Sequence, residues 1–146
     1  MSTGLISRPP TCTIVVDLHP HVDGPGATFF YTCASCSPTW HVAADGTIAV
    51  PSRRRALELR VADPSTQAFS GVYLVHDHVN LGTDPGIHDH TKRFVATMSA
   101  AGDSMHLVDI ATGELESPLH IFYSLGLTRD GRTYWDDPKI YHLPDQ

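Results

Sequence analysis

Short runs in which hydrophobic and polar residues alternate recur along the chain, and glycine or proline separates most of them. In the run 56–62, Leu57, Leu59 and Val61 point to one face of an extended strand and the charged residues between them to the other. The run 119–128 has the same period. The pattern predicts eight or nine strands, which lie within 12–18, 28–33, 47–50, 56–62, 71–79, 92–98, 105–110, 119–128 and 132–141.

The spacing of these strands predicts the fold class. No apolar stripe of period 3.6 extends beyond about two turns, so no amphipathic helix is predicted. Strands at intervals of about 8–12 residues are typical of an all-β protein, and we expect a single immunoglobulin-like antiparallel β-sandwich over 1–146. Residues 1–10 are expected to form a loose N-terminal arm and 143–146 a loose tail. The tetrapeptide RDGR at 129–132 predicts a hairpin turn.

Composition and charge exclude several classes of partner. The chain has 146 residues, with 16 Asp plus Glu against 10 Lys plus Arg, and a net charge of −6. Nucleic-acid binding needs concentrated positive potential, and the basic cluster at 53–55 is too short to supply it. A membrane-spanning helix needs about 18 apolar residues in a row, and the sequence has no such run. We therefore expect neither a nucleic-acid nor a membrane partner.

The cysteines bear on the cellular compartment. Cys12, Cys33 and Cys36 are an odd number with no disulfide framework, and the first residues do not resemble a secretory signal peptide. Both features predict a protein of the reducing cytoplasm. The pair Cys33 and Cys36 has the spacing of a redox motif or, together with His41, of half a zinc site. No convincing helix follows it, so we interpret the pair as ordinary thiols.

Three short segments carry a resemblance to a known family. They are DGTIAV at 45–50, MHLVD at 105–109, and DPKI at 137–140 followed by Pro144. These segments resemble the small bacterial DP-EP family of compact β-sandwich proteins. The resemblance implies the sandwich fold and transfers no catalytic residue. The histidine-rich stretch at 76–90 departs from the family pattern, and it is where a function would have been added to the fold.

Ten of the 146 residues are histidine, and the tripeptide His-Asp-His occurs twice, at 76–78 and at 88–90. In a strand, residues i and i+2 project from the same face, so each tripeptide can direct two imidazoles at one point. Neutral imidazole is the commonest protein ligand for zinc, copper, iron and nickel. The predicted metal ligands are therefore His76, His78, His88 and His90.

Nine residues that include a turn sequence separate the two tripeptides, which predicts a hairpin between them. A turn near Thr83 would place His78 opposite His88. A tight turn at Pro85 and Gly86 would instead pair His78 with Arg93, and a slip of one residue would reverse the face. The periodicity leaves both registers open.

Acidic residues within the same stretch complete the predicted site. Asp77, Asp84 and Asp89 could orient a metal-bound imidazole or accept a proton, and are the candidate catalytic residues. His19 and His21 flank a proline, which predicts a loop at one end of the sandwich that could supply a third ligand or a supporting group. The cofactor would be a transition-metal ion: zinc, copper, iron or nickel.

Other polar and aromatic residues are interpreted as structural. Trp135 is expected in the core, and the Asp137-Pro138 step is expected to mark a bulge or an edge strand. His106 and His120 each lie alone on a strand, opposite its apolar face. Neither a nucleotide-binding glycine motif nor a serine-hydrolase elbow occurs in the sequence.

The leading functional expectation is a small metal-binding protein that acts as a metal-dependent enzyme on a small molecule. One alternative is a non-enzymatic structural or interaction module of the DP-EP type, whose exposed sheet edge pairs with a partner or with a second copy of the chain. A second alternative is a metal-free enzyme with histidine as general acid or base. The simplest alternative is a solvated polar loop whose charge follows pH.

Overall fold

The computed structural model describes residues 11–35, 41–44, 46–51, 56–75, 81–92, 94–109, 119–136 and 139–143. Every regular element in these ranges is a β-strand, so the all-β prediction is confirmed. Sheet A has five strands in the spatial order β2 (Ala27–Ser35), β1 (Thr11–Pro20), β5 (Ala56–Val61), β9 (Ser104–Asp109) and β8 (Phe94–Met98). Sheet B has the order β3 (His41–Val42), β4 (Ile48–Pro51), β12 (Lys139–Leu143), β10 (Leu119–Arg129), β6 (Gln67–Val75) and β7 (Gly86–Asp89), and β11 (Arg132–Asp136) also pairs with β10.

One hydrophobic core lies between the two sheets. The alternation read from the sequence is borne out on β5, where Leu57, Leu59 and Val61 are buried. The central strands of both sheets supply fully buried side chains, among them Ile14, Val16 and Leu18 from sheet A and Tyr123, Leu125 and Leu127 from sheet B. Each strand therefore turns its other set of side chains to an outer face, and these two outer faces carry the candidate chemistry.

The sheets are mixed, which corrects the expectation of a purely antiparallel sandwich. Three neighbouring pairs are parallel: β1 with β5, β12 with β4, and β6 with β7. Alternation of side chains has the same period in both kinds of pairing, so it could not distinguish them. The immunoglobulin-like arrangement of strands stays a prediction.

The hairpin predicted at 129–132 is confirmed. Strands β10 and β11 pair antiparallel, and Asp130 and Gly131 both have positive φ, 54° and 76°. Positive φ at both central residues gives a two-residue turn the twist that flanking strands require. The strand expected at 132–141 is described as β11 and β12, which pair with β10 in one continuous register, Asp136 opposite Leu125 and Lys139 opposite Phe122. β11 ends at Asp136, β12 begins at Lys139, and Asp137 and Pro138 lie outside the described residues.

The end of β1 corrects a second expectation. His19 and Pro20 belong to this strand and pair with β2, so the loop predicted at this point is wrong. The amide of His21 donates to the Gly26 carbonyl at 3.0 Å. Because amides alternate in direction along a strand, the nitrogen of Pro20 faces away from β2. The parallel ladder to β5 stops at Val16, so proline breaks no ladder bond there.

A buried glutamine joins the sheets at this end of the sandwich. Gln67, at the start of β6, is 3% exposed. Its amide nitrogen donates to Asp17 Oδ1 at 2.9 Å, and its Oε1 accepts from the Leu18 amide at 3.0 Å. Arg129 donates to the Leu18 carbonyl at 2.7 Å. The Gln67 hydrogen bond is the main reason that the pKa of Asp17 lies below its ordinary value, with burial opposing it and His19 and Arg129 lowering it further.

The cysteines differ from the sequence expectation. Cys12 and Cys33 are both disulfide-bonded, and no free cysteine occurs among the residues that the structure describes. The interpretation of Cys33 as an ordinary thiol is therefore wrong, while Cys36 lies outside those residues. In the same ranges no helix has the length and apolar character needed to cross a membrane. Of the segments expected to be loose, 1–10 and the last three residues of the tail 143–146 are also not described, and Leu143 belongs to strand β12.

Candidate functional site

His88 and His90 lie on the outer face of sheet B, on the edge strand β7. This strand pairs with β6 in parallel, and the register places His88 beside Tyr73. The amide of His90 donates to the Leu74 carbonyl at 2.8 Å, which extends the pairing beyond β7. Strands β6 and β7 therefore do not form the predicted hairpin, because a hairpin would make them antiparallel, while the two predicted pairings of His78 lie outside the described residues.

The two imidazoles are stacked alongside a buried tyrosine. The ring centroids of Tyr73 and His88 are 4.3 Å apart with an interplanar angle of 18°, and those of Tyr73 and His90 are 6.2 Å apart at 16°. Trp135 meets Tyr73 edge-on, with centroids 5.8 Å apart. Tyr73 is 6% exposed, so its position is determined by packing. Both histidine rings are thereby held nearly parallel on one face.

One hydrogen bond determines which nitrogen of His88 carries the proton. His88 Nε2 lies 2.9 Å from the Pro85 carbonyl oxygen. A carbonyl can only accept, so Nε2 must donate, and in the neutral ring the lone pair is then on Nδ1. Metal-binding histidines commonly donate their second ring N–H to a carbonyl in this way. His88 has the tautomer and the fixed ring that a ligand needs.

The three aspartates expected at the site have different surroundings. Asp89 holds the turn between β7 and β8: its carboxylate accepts from the amides of Thr91, Lys92 and Phe94 at 2.9–3.2 Å and from the Thr91 hydroxyl at 2.6 Å. Asp84 is exposed, and its amide donates to the Tyr73 hydroxyl at 3.1 Å. Asp77 lies outside the described residues.

Half of the predicted ligand set also lies outside the description, namely His76 and His78. Among the residues that are described, no group of three or more histidine, cysteine or acidic side chains is close enough to hold a metal ion. The described part of the site therefore contributes two imidazoles, those of His88 and His90.

A row of three glycines crosses the outer face next to the histidines. Gly126, Gly71 and Gly86 are register partners on β10, β6 and β7. A Cβ at Gly126 would lie 2.7–2.8 Å from three adjacent atoms of the Trp135 indole. Near-equal distances to three adjacent ring atoms mean that the glycine lies under the face of the ring. Trp135 is thus half-buried on the outer face, and its predicted core position is wrong.

A cleft of about 250 Å³ opens beside this row. It lies between the segment before β7 and the strands β10 and β11, and its lining among the described residues is Leu81, Gly82, Thr83, Ser124, Trp135 and Asp136. Gly82 covers the face of Tyr73, because a Cβ there would lie 2.8–2.9 Å from three atoms of the phenol. Ser124 is 5% exposed at the bottom of the cleft. Ser124 and Tyr73 were not predicted as site residues, although Ser124 alternates with the buried leucines of 119–128.

The outer face of sheet A carries histidines of a different kind. His106 Nε2 lies 2.9 Å from Glu58 Oε2, and Oε1 of the same carboxylate contacts Arg60 and Thr13, each at 3.1 Å. Burial raises the pKa of Glu58, but the hydrogen bonds from His106, Arg60 and Thr13 outweigh it, so the pKa is below its ordinary value. A hollow of about 420 Å³ lies beside Glu58 and Arg60.

His19 and His21 belong to this face and its end, not to the candidate site. His19 Nε2 contacts Asp17 Oδ2 at 2.6 Å, and His21 contacts Thr28 Oγ1 at 3.0 Å and the Pro25 carbonyl at 3.3 Å. Leu18, between Asp17 and His19, points into the core, so His19 points outward from sheet A. The core separates them from His88 and His90, which excludes the third-ligand role that the sequence suggested.

Comparisons with known proteins add no family to this description. No family model matches the sequence, and no curated protein shows a significant match to it. The DP-EP resemblance therefore stays a prediction. What the structure itself defines is a class: an all-β protein of two mixed sheets with a histidine and aromatic cluster on one outer face.

Proposed function

We propose that this protein binds a transition-metal ion on the outer face of sheet B and uses it on a small molecule. His88 and His90 supply two of the ligands, and His76 and His78 the others. Zinc, copper, nickel and iron are the ions that an imidazole set selects. The observation that carries the proposal is the His88 geometry: Nε2 donates to the Pro85 carbonyl at 2.9 Å and leaves Nδ1 to bind a metal.

Three further features support the proposal. His88 and His90 alternate with Asp89 along β7, so both imidazoles are on one face, and both are nearly parallel to the Tyr73 ring. The His90 amide bonds to the carbonyl of Leu74, which lies two residues before His76 in the sequence. Neither imidazole has a carboxylate partner among the described residues, so no ion pair competes with a metal there.

The catalytic part of the proposal rests on the cleft that adjoins the cluster. If three of these four imidazoles held the metal and one position stayed open, the metal would lower the pKa of a bound water and so supply a nucleophile near neutral pH. Asp84, exposed on the segment before β7, and Asp77 are the candidate proton acceptors. Asp89 is less suited to that role, because four hydrogen bonds from the following turn occupy its carboxylate.

Metal content of purified protein tests the proposal. Tag-free protein, prepared without a nickel column and dialysed against a weak chelator, should retain about one equivalent of one transition metal by plasma mass spectrometry. The double variant His88→Ala/His90→Ala should lose it. The matched control is His19→Ala/His21→Ala, which removes a second His-x-His pair from the opposite face and should keep the metal.

Two results would overturn the metal site. One is an absence of uptake when zinc, copper or iron(II) is added to the wild-type protein. The other is equal loss of metal in the two double variants, which would mean that histidines bind it nonspecifically. Far-ultraviolet circular dichroism and thermal unfolding of each variant establish that the sheets remain folded.

A metal-free result would favour the interaction module as the second candidate. Its supporting observation is the nine-residue strand β2, which is at the edge of sheet A and is exposed from Thr32 to Ser35, with Phe30 49% exposed. Unpaired edge strands add further strands by main-chain hydrogen bonds. In that case a second copy of this chain is the simplest partner.

The disulfide bonds bear on the compartment in which the protein acts. The sequence predicted the cytoplasm, but disulfide bonds persist mainly in oxidising compartments. The disulfide-bonded state of Cys12 and Cys33 weighs against the cytoplasm as the site of action. We therefore leave the cytoplasm out of the proposed function.

A further inference from the structure

We propose that the cleft bordered by Ser124 and Trp135 binds a neutral ring compound with several hydroxyl groups, of the size of one monosaccharide. Ser124 is its polar anchor and the indole of Trp135 its apolar wall. The argument for this ligand does not use the metal, because neither His88 nor His90 is in the described lining of the cleft, although the catalytic part of the proposed function uses the same cleft.

The hydroxyl of Ser124 is buried without a hydrogen-bond partner among the described residues. Ser124 is 5% exposed, and its hydroxyl makes no hydrogen bond with any residue that the structure describes. Leaving a buried hydroxyl without a partner costs free energy, so such groups are rare unless a ligand or water satisfies them. The side chain of Ser124 borders the cleft. A ligand with a hydroxyl group would supply the donor and acceptor that it lacks.

The indole of Trp135 is oriented with one face on the sheet and the other towards the cleft. The face of its indole lies on Gly126, where three adjacent ring atoms are 2.7–2.8 Å from the position a Cβ would take. The opposite face is therefore the one that can border the cleft. A flat aromatic face packs well against the C–H groups on one side of a sugar ring, whose hydroxyls project from its rim. The glycine is what allows the indole to lie flat at this point.

The charge and the size of the cleft both restrict the ligand that it can bind. Asp136 lines the cleft, but its carboxylate accepts from the Tyr31 hydroxyl at 2.9 Å, on the side of sheet B that faces sheet A. No cationic side chain occurs in the described lining. An anionic ligand is therefore disfavoured. Thr83 adds a second hydroxyl at the rim. The volume of about 250 Å³ is below that of pockets for drug-sized ligands, which restricts the occupant to about one ring.

An NMR titration of ¹⁵N-labelled protein with glucose, galactose, mannose and xylose, each added separately, tests the assignment. At least one sugar should shift the indole N–H signal of Trp135 saturably, with a dissociation constant in the millimolar range or tighter. Ser124→Ala should weaken that binding by about tenfold, the value of one lost hydrogen bond. Thr83→Val, at an exposed position, should weaken it several-fold.

The controls separate binding from folding. Thr128→Val changes a hydroxyl on the same strand and the same face outside the cleft, and should leave the affinity unchanged. Ser124→Ala should also raise the melting temperature or leave it unaltered, since it removes a buried hydroxyl that bonds to no described residue. A lower melting temperature with unchanged affinity would mean that Ser124 has a structural role, and would overturn the proposal.

Two further outcomes would overturn it. One is the absence of a saturable shift with every sugar. The other is a cleft that takes indole or choline but no sugar, which would assign it to an aromatic or cationic ligand. Neither outcome bears on the metal content of the protein, so the fate of this proposal is distinguishable from that of the metal site.

Discussion

The two outer faces of the sandwich both carry histidines, yet their surroundings are opposite. On sheet A, His19 contacts Asp17 and His106 contacts Glu58, at 2.6 and 2.9 Å. On sheet B, the rings of His88 and His90 stack alongside Tyr73, and His88 donates to a carbonyl. On the first face the histidines contact carboxylates, while the second leaves a ring nitrogen of His88 available.

Strand geometry explains this difference. Asp17 and His19 are two residues apart, so they project from the same face and meet. In the tripeptide at 88–90 the acid is between the histidines, so alternation directs the Asp89 carboxylate to the other side, where it holds the next turn. A His-Asp-His sequence on a strand therefore presents two imidazoles without the carboxylate. The position of the acidic residue relative to the histidine therefore determines whether the imidazole contacts a carboxylate or stays available to a ligand.

A substitution that separates β6 from β7 in sheet B should have the largest effect on stability and on metal uptake. A Cβ at Gly71 would lie 2.6–2.7 Å from backbone atoms of Gly86, which cannot rotate away. We expect Gly71→Ala to separate β7 from β6 and to lower the free energy of unfolding by about 3 kcal/mol in urea titrations. It should also abolish metal uptake, because β7 carries His88 and His90.

The neighbouring variant Ser70→Ala is the control for that substitution. It should change stability by less than about 1 kcal/mol and leave metal uptake intact. A Gly71→Ala protein as stable as the wild type would show that the close parallel pairing of β6 and β7 is not maintained in solution.

Removing the link between the sheets should have an intermediate effect. Gln67→Ala leaves the Leu18 amide without its side-chain partner and takes the main pKa-lowering hydrogen bond from Asp17. We expect a loss of about 2 kcal/mol, measured by chemical unfolding at neutral pH. The pKa of Asp17 should rise towards its ordinary value, and carboxyl NMR can follow that change. An unaltered Asp17 titration would contradict the assigned role of Gln67.

The sheet A ion pairs should have the smallest effect, and it should depend on pH. The pKa of Glu58 in the folded protein is below its ordinary value. The ionised carboxylate therefore adds to the free energy of unfolding at a pH above that ordinary value, and this contribution is lost as the pH falls through the folded-state pKa. Glu58→Gln should therefore flatten the acid limb of the stability profile. We expect less than about 1 kcal/mol at neutral pH, since His106 and Arg60 are largely exposed.

A matched histidine variant sharpens this last comparison. His88→Gln, on the other face, should leave the acid limb of the stability profile as it is in the wild type, because no carboxylate contacts that ring among the described residues. Equal flattening of the acid limb by Glu58→Gln and His88→Gln would mean that the two faces do not differ in their contacts between histidines and carboxylates.

The candidate site was predictable only in part. The pairing of His88 with His90 on one face follows from the period of a strand, and the structure agrees. The direction of their strand did not follow, because the turn residues at 82–86 suggested a hairpin and the chain makes a parallel crossover instead. Trp135 was expected in the core because it is large and apolar, and Gly126 is the residue that admits it to the outer face.

The sequence by itself determined the all-β class, the inward set on each strand and the hairpin at 129–132, because these depend on side-chain period and on local turn chemistry. Tertiary structure alone decided which strands are parallel, which histidines meet carboxylates across strands, and where Ser124 and Trp135 form a cleft. Those features depend on the register between strands distant in sequence. Register is determined by the packing of the whole core, and no single segment of the sequence contains that information.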